Sequence, residues 1–366
     1  MLVKIYNFKM AKFHSLKVAD IYKETKDCSV ITFDIPHDLQ EEFQFKQGQH
    51  LTLRENINGQ EVRRSYSLCS SPLEKKWQVA VKKIDGGLFS TFVNENLKKG
   101  DTIDVMPPNG TFNVEVDASK AKNYIAFTAG SGITPILSII KTHLAQEPNS
   151  TFKLFYLNRS VKSIIFKEEI EKLKNIYFNR FEIFHFLTKE YRVSELFNGR
   201  FTKEKVQVLT EKLIDISSTN ECFICGPEEM IFLLRDELTA AGLPKENIHY
   251  ELFNTGISEE DKQRINKIVE KKVEGTEVTI IDGGKEFHFI MGEDFDNILD
   301  GAIAAGADLP YACKGGVCST CRCKVIDGTV EMKLNYSLEE DELAKNYTLS
   351  CQAVPTSKKV VVDFGL

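Results

Sequence analysis

Cys313, Cys318 and Cys321 stand at C-x4-C-x2-C within DLPYACKGGVCSTCRC, and Cys351 follows after 29 residues. No other stretch constrains the chain as much, because a tight loop and a distant return must deliver four thiols to one place. The spacing is the plant-type one for four thiolates on a [2Fe–2S] cluster. Gly315 and Gly316 let the loop take positive φ and leave amides to donate to cluster sulfurs, while Ser319 and Thr320 add small hydroxyl donors. Two plainer readings compete. A structural zinc site usually pairs two short C-x2–4-C hooks, and buried thiols need no spacing at all. The spacing favours the cluster. Cys323 has the opposite strand parity to Cys321, which predicts a spare thiol pointing away from the centre.

The 366 residues exceed what one core holds and imply two or three domains. Apolar content of 42% and charged content of 27% are those of a globular chain, not a disordered one. The net charge of −6 argues against nucleic-acid or anionic-membrane partners, which select basic surfaces. Its distribution is uneven: 273–366 hold 16 acidic and 8 basic side chains, leaving the rest slightly positive. Nine cysteines, an odd number with four committed to metal, point to a reducing compartment rather than a secreted disulfide framework. No run reaches the length of a membrane-spanning helix, and MLVKIYNFKM lacks a signal-peptide pattern, so a cytoplasmic location is expected. The nine residues before Met10 read as an extension ahead of the true start.

Residues 11–117 carry short alternating runs (SLKVADI, CSVITFDI, QHLTL, WQVAVKKI, TIDVMPP) that predict an antiparallel barrel or sandwich with one helix at Ser90–Leu97. Two motifs lie on it, RRSYSLCSSP and GGLFS. Either alone is ordinary strand or turn sequence. Together they suit an anionic, planar ligand. Amides at Leu88 and Phe89 and the Ser90 hydroxyl at a helix N-terminus match a pyrophosphate, onto which Arg64 can fork. Tyr66 offers an aromatic face, and Ser67 a hydroxyl where a hydride or proton must arrive.

Residues 118–254 change period. Strand Asn123–Ala129, the turn GSGITP and a helix over Ile136–Leu144 open a doubly wound parallel sheet. Further strands are expected at FKLFYLN, RFEIFHFL and ECFICG, and helices near Phe166–Leu173, Glu204–Leu213 and Glu228–Ala240. The glycine loop lacks its third glycine and has Pro135 instead. CGPEEM closes a later strand, where ligands of such sheets lie. Cys222 and Cys225 form a C-x-x-C along a strand, which favours structural thiols over a redox pair. FKLFYLN runs into Arg159 and Ser160 with no acid before Glu168, which predicts a 2′-phosphate acceptor and hence NADPH.

The charged span 255–274 reads as a mobile linker, part helical, with Ser258 capping a short helix that carries Ile265, Ile268 and Val269. About twenty flexible residues span of order 25 Å, enough for a swing. Residues 275–366 predict a hairpin over Asp282-Gly283-Gly284, a helix around Asp296–Ala305, and strands at Arg322–Ile326 and Lys359–Phe364, a small α+β domain. Four adjacent acids, Glu339, Glu340, Asp341 and Glu342, are either a docking patch or a solvated helix start.

RSYS and GGLFS on a barrel, then GSGITP and CGP on a dinucleotide sheet, resemble the ferredoxin–NADP reductase family. The cysteine loop behind them resembles a fused plant-type ferredoxin of β-grasp fold. LPYACKGGVCSTCRCKV, GTVEMKLNYSL, LSCQAVP and VVVDF are similar to the reductase subunits of bacterial ring-1,2-phenylacetyl-CoA epoxidases. The resemblance implies FAD, with Arg64 on its pyrophosphate, Tyr66 against the isoalloxazine, Ser67 beside N5, and Gly87, Leu88, Phe89 and Ser90 cradling the diphosphate. Glu251 and Phe253 in HYELF match the family position near the flavin's other face, although in simpler members the chain ends there. Gly130, Gly132, Thr134, Cys225, Gly226 and Pro227 would line the dinucleotide, with Ser67, Thr134, Cys225 and Glu251 at the hydride-transfer point. The implied activity takes a hydride from NADPH and passes single electrons through the cluster to an oxygenase, a di-iron multisubunit epoxidase. A reductase for a ring-hydroxylating or steroid-hydroxylating oxygenase, a free-standing reductase and a slow redox sensor are the alternatives.

Overall fold

The structure is a computed structural model that describes residues 8–9, 12–253 and 259–365. It divides into two compact units, 15–253 and a second made of the chain's start and 254–366.

A two-residue strand, β1 (Phe8–Lys9), belongs to the second unit, and its pairing is described there. The larger unit begins with β2 (His14–Thr25), β3 (Cys28–Asp34), β4 (His50–Ile57), β5 (Gln60–Ser67), β6 (Trp77–Lys82) and β7 (Thr102–Val105), in the order β5-β4-β7-β2-β3-β6. Neighbours run antiparallel, and Leu16, Val18, Ile31, Phe33, Leu51, Leu53, Val79 and Val81 fill the inside at the period of two that the sequence shows. The helix against this sheet is α1 (Leu88–Glu95), which starts two residues before its expected first residue. Ser90 does not cap it. Its hydroxyl accepts from the Ile84 amide at 3.1 Å and donates to the Gly87 carbonyl at 3.3 Å, tying the loop so that Gly87 becomes the cap.

The same unit continues with β8 (Asn123–Ala129), α2 (Ile133–Gln146), β9 (Thr151–Asn158), α3 (Lys167–Ile176), β10 (Phe181–Leu187), α4 (Lys203–Lys212), β11 (Glu221–Gly226), α5 (Glu228–Ala240) and β12 (Ile248–Leu252). All five strands are parallel, in the order β10-β9-β8-β11-β12, so β8 holds the centre. Phe127, Phe155 and Phe184 are in register on adjacent strands and stack at 4.6 and 4.9 Å. Helix α2 is buried along nearly its whole length, which explains its lack of a polar face. One side covers the parallel sheet. The other meets the barrel, where Ser138 donates to the Ser70 carbonyl at 2.6 Å and the Thr142 and Ser71 hydroxyls bond at 2.8 Å.

The second unit contains α6 (Glu259–Val269), β13 (Glu277–Asp282), β14 (Lys285–Ile290), α7 (Ile298–Ala304), β15 (Ala307–Asp308), β16 (Arg322–Asp327), β17 (Val330–Met332), α8 (Glu340–Ala344), β18 (Tyr347–Leu349), β19 (Ala353–Pro355) and β20 (Lys359–Asp363). Its mixed sheet runs β14-β13-β20-β16-β18, with β17 and β19 pairing separately. Strand β1 pairs in parallel with β15, so the stretch read as a mere extension contributes structure. The expected linker is also corrected from residue 259 onward. Ile268 of α6 is buried, Lys271 pairs with Glu331 at 2.8 Å, and the Val273 amide donates to the Pro355 carbonyl at 3.0 Å. The charges that suggested mobility lie on the outer face of a docked amphipathic helix. Ser258, its expected cap, falls outside the described residues.

Candidate active site

On the flavin side, Ser67 closes β5 and donates its hydroxyl to Glu251 Oε2 at 3.1 Å, joining residues 184 apart in sequence. Tyr66 packs on Phe89 of α1 with ring centroids 5.8 Å apart, which brings the RSYS and GGLFS motifs together. Arg63 is buried against Glu61 at 2.8 Å, whereas Arg64 stays exposed, its Nη1 resting on the Arg63 carbonyl. The first turn of α1 supplies the amides of Leu88, Phe89 and Ser90 for an anion. Ser90 contributes no hydroxyl, since that is committed to the loop. A cleft of about 530 Å³ lined by Asn56, Asn58, Gly87, Leu88 and Phe92 opens beside this turn.

His50 was invisible to sequence reasoning. Register places it directly opposite Ser67, buried, with Nε2 unpartnered among the described residues. Burial pulls its pKa down to about 4, so it is neutral at pH 7. An orphaned ring nitrogen beside Ser67 fits a site that receives a polar, ring-shaped group such as the flavin.

On the dinucleotide side, Gly130 has φ +55°, and a Cβ on Gly132 would lie 2.3 Å from the Cys225 carbonyl oxygen. A Cβ on Gly226 would meet Met230 Cε at 2.5 Å. Gly132 therefore lets the turn after β8 meet the end of β11 backbone to backbone, Gly226 leaves room for the Met230 side chain, and together they form the glycine shelf. Pro227 caps α5 immediately beyond it. Thr134 is buried, and its hydroxyl donates to the Ser131 carbonyl at 3.0 Å, so it braces the turn and keeps only its acceptor capacity for a ligand. Cys225 lies in register with Thr128 on one side and Glu251 on the other. Burial, then the Glu251 carboxylate, push its thiol well up, which keeps it uncharged. Cys222 and Cys225 are three apart on one strand and so face opposite sides, both buried with raised thiols. They form no redox pair.

Two residues near this shelf escaped the sequence reading. Lys82 reaches across from the barrel to within 3.8 Å of where a Gly130 Cβ would stand. Glu190 comes from the segment after β10, and its carboxylate accepts the Val161 amide at 3.0 Å, next to Arg159 and Ser160. An acid does therefore stand at the end of β9, delivered by the neighbouring strand. Arg159 is exposed, while Ser160 is tied to Ser163 Oγ through its amide at 3.0 Å. Phe253 follows β12 with 42% of its surface exposed.

In the second unit the four expected thiols lie close enough to perturb one another, Cys318 acting on the Cys313 thiol and Cys351 on the Cys321 thiol. The Cys313 thiol is pulled down to about 6, first by Cys318 and then by the Gly315 and Val317 amides. Among the described residues no three His, Cys, Asp or Glu converge on a single ion-sized point. N–H donors already aimed at the cysteine sulfurs, Gly315 at Cys313 and Gln352 at Cys351, suit an electron-rich sulfur-ligated cluster. The loop departs from expectation in detail: left-handed backbone falls on Lys314, Gly316 and Ser319, not on Gly315, whose amide donates to Cys313 Sγ at 3.3 Å. Cys323 is buried in the sheet core, its thiol raised by burial. The acid run is a helix start: Glu339 and Glu342 make a capping box, Asp341 pairs with Lys345 and Glu342 with Arg322. Two of its four charges are paired locally, which weakens the expected docking patch.

Family models for an oxidoreductase FAD-binding domain match residues 15–114, an oxidoreductase NAD-binding domain 127–236, and a 2Fe-2S iron-sulfur cluster binding domain 280–356. Across 97% of its length the chain is 45% identical to a component of the 1,2-phenylacetyl-CoA epoxidase of Escherichia coli (strain K12), covering 98% of that protein. The chain belongs to the ferredoxin–NADP reductase family, with a [2Fe–2S] domain fused behind. The reductase is also 32% identical to the ferredoxin reductase component of 3-ketosteroid-9-alpha-monooxygenase from Rhodococcus rhodochrous, over 95% of this chain and 96% of that one. Its fold matches phthalate dioxygenase reductase with a TM-score of 0.58 at 23% identity, covering 96% of this chain and 98% of the other. The reductase is thus an oxidoreductase component with FAD, nicotinamide-dinucleotide and [2Fe–2S] domains that passes electrons to an oxygenase. No helix among its described residues is long and apolar enough to cross a membrane.

Proposed function

We propose that this reductase draws electrons from NADPH and serves a di-iron, multisubunit epoxidase acting on the ring of phenylacetyl-CoA. The observation that carries this reading is the end-to-end 45% identity to the epoxidase component, against 32% for the steroid-monooxygenase component. When bound, FAD takes a hydride from the nicotinamide and releases electrons singly to the cluster. The chain's residues supply position. Ser67, fixed by Glu251, presents its hydroxyl at the flavin's reactive edge. Arg64 and the α1 amides hold the pyrophosphate, and Tyr66 covers a ring face. The uncharged Cys225 thiol and the glycine shelf line the place for the nicotinamide, with Gly226 and Pro227 completing the wall. Arg159 receives the 2′-phosphate. Glu190 supports a second reading, NADH, because a carboxylate at this strand end can accept a ribose 2′-hydroxyl.

The test is reconstitution. The reductase is mixed with the purified oxygenase components of a phenylacetyl-CoA epoxidase, and NADPH oxidation and epoxide formation are followed with phenylacetyl-CoA and with a 3-ketosteroid. Dependence of both on phenylacetyl-CoA is the expected result. Cytochrome c reduction without any coupled epoxidation would leave the general reductase and remove this partner.

A further inference from the structure

Gln352 follows the last cluster cysteine and is a polar side chain with only 4% of its surface exposed. Its Nε2 donates to the Lys314 carbonyl at 2.8 Å and to Cys351 Sγ at 3.6 Å. One amide group therefore joins the loop that carries Cys313 and Cys318 to the separate segment that carries Cys351. Its backbone is held on both sides, since its N–H donates to the Leu349 carbonyl at 2.8 Å and its carbonyl accepts from Lys333 at 3.0 Å. The loop is shaped to receive it. Gly316 has φ +76°, and a Cβ there would stand 3.3 Å from Gln352 Cγ and 3.0 Å from the Leu334 carbonyl. A larger residue at 316 would push the glutamine out.

We propose that Gln352 is a positioning residue that raises the reduction potential of the cluster by donating its side-chain amide to the Cys351 sulfur. A [2Fe–2S] cluster held here would carry added negative charge on its sulfurs once reduced by one electron. A fixed N–H donor stabilises that added charge more than it stabilises the oxidised state. The second N–H, spent on Lys314, orients the first. Gly315 makes a comparable bond to Cys313 through its backbone, so Gln352 is the removable donor among these contacts. The inference rests on the cluster reading, which iron and acid-labile sulfide content test separately.

The experiment compares wild type with Gln352→Met, which keeps the volume without donors, and Gln352→Glu, which replaces donors by a carboxylate. Each is assayed first for iron and sulfide, then titrated spectroelectrochemically with dithionite. The expected order of potentials is wild type above Gln352→Met above Gln352→Glu. The Met variant should fall by about tenfold in the one-electron equilibrium constant, about 59 mV. A fully loaded Gln352→Met with unchanged potential, or a Gln352→Glu at or above wild type, overturns the proposal. If the variants fail to hold the cluster, the wild type decides. With glutamine side-chain amides labelled with ¹⁵N, pulsed electron paramagnetic resonance of the reduced cluster should show a nitrogen hyperfine coupling, and its absence overturns the proposal.

Discussion

Replacing Gly132 by alanine tests the claim that the dinucleotide shelf depends on backbone contact. The added Cβ would lie 2.3 Å from the Cys225 carbonyl oxygen, 2.7 Å from its carbonyl carbon and 2.9 Å from Thr128 Oγ1. Ordinary contact between such atoms begins near 3.5 Å, so β8 and β11 must part by about 1 Å at their ends. Two of the three atoms are backbone, and β8 and β11 are ladder partners, so no side-chain rotation relieves the clash. Overpacking of this kind costs about 1–3 kcal/mol in stability. The functional cost is larger, because a misplacement of about 1 Å lowers a positioned reaction by about 10²-fold. In stopped-flow assays under anaerobic conditions, Gly132→Ala should reduce its flavin about 10- to 100-fold more slowly with NADPH, while flavin, iron and sulfide contents stay at wild-type levels. Flavin reduction within about twofold of wild type, with an unchanged KM, would refute the close-approach argument.

Cys318→Ser and Cys351→Ser should each lose iron and sulfide yet keep NADPH-dependent ferricyanide reduction, because the flavin and dinucleotide residues lie in the other unit; joint loss of both activities would contradict that division. Arg159→Ala should raise KM for NADPH by about tenfold or more with little change for NADH, as expected for a lost charge-assisted contact. Glu190→Gln should move selectivity toward NADPH, and a shift toward NADH would show that the carboxylate does not face the 2′-position. Lys141, 8% exposed, pairs with Glu169 at 2.5 Å and Glu74 at 3.3 Å, linking barrel and parallel sheet. Lys141→Met should cost about 2–3 kcal/mol by urea unfolding, below the figure for a fully buried pair because both acids are partly exposed. Burial opposes its charge, but Glu169 and Glu74 outweigh burial and raise the pKa. That stability is therefore complete below the ordinary lysine value and falls only as pH rises past the raised one. A loss that stays constant from neutral pH up to the ordinary lysine range fits this, whereas a loss that vanishes as pH rises through neutrality does not.

What the sequence made legible was whatever chemistry demands a fixed spacing along the chain. Four thiolates, a glycine turn between strand and helix, and an alternating barrel strand each declare themselves locally, and Gly132 does sit between β8 and α2, Ser67 at the end of β5 and Cys313 in the loop before β16. What stayed hidden depends on which distant segments a fold lays side by side. Glu190 is 31 residues beyond Arg159 in sequence, yet β9 and β10 run parallel and end together, so the search for an acid after β9 missed the one that stands beside its end. His50 meets Ser67 through antiparallel register, and Lys82 meets the glycine turn through the packing of barrel on sheet. The charged span before residue 274 misled for the opposite reason. Its composition is that of a loop, but one buried isoleucine and a few cross-chain bonds suffice to dock a helix whose other faces stay in water. The division has a physical basis. Holding a phosphate or an iron requires groups whose number and spacing are set by the ligand, and these are written in short motifs. Choosing between NADH and NADPH, or setting a potential, is a matter of about 1–3 kcal/mol that one amide or carboxylate can supply from anywhere in the chain. Such residues carry no motif, and in this reductase Glu190 and Gln352 are where that energy difference should be measured.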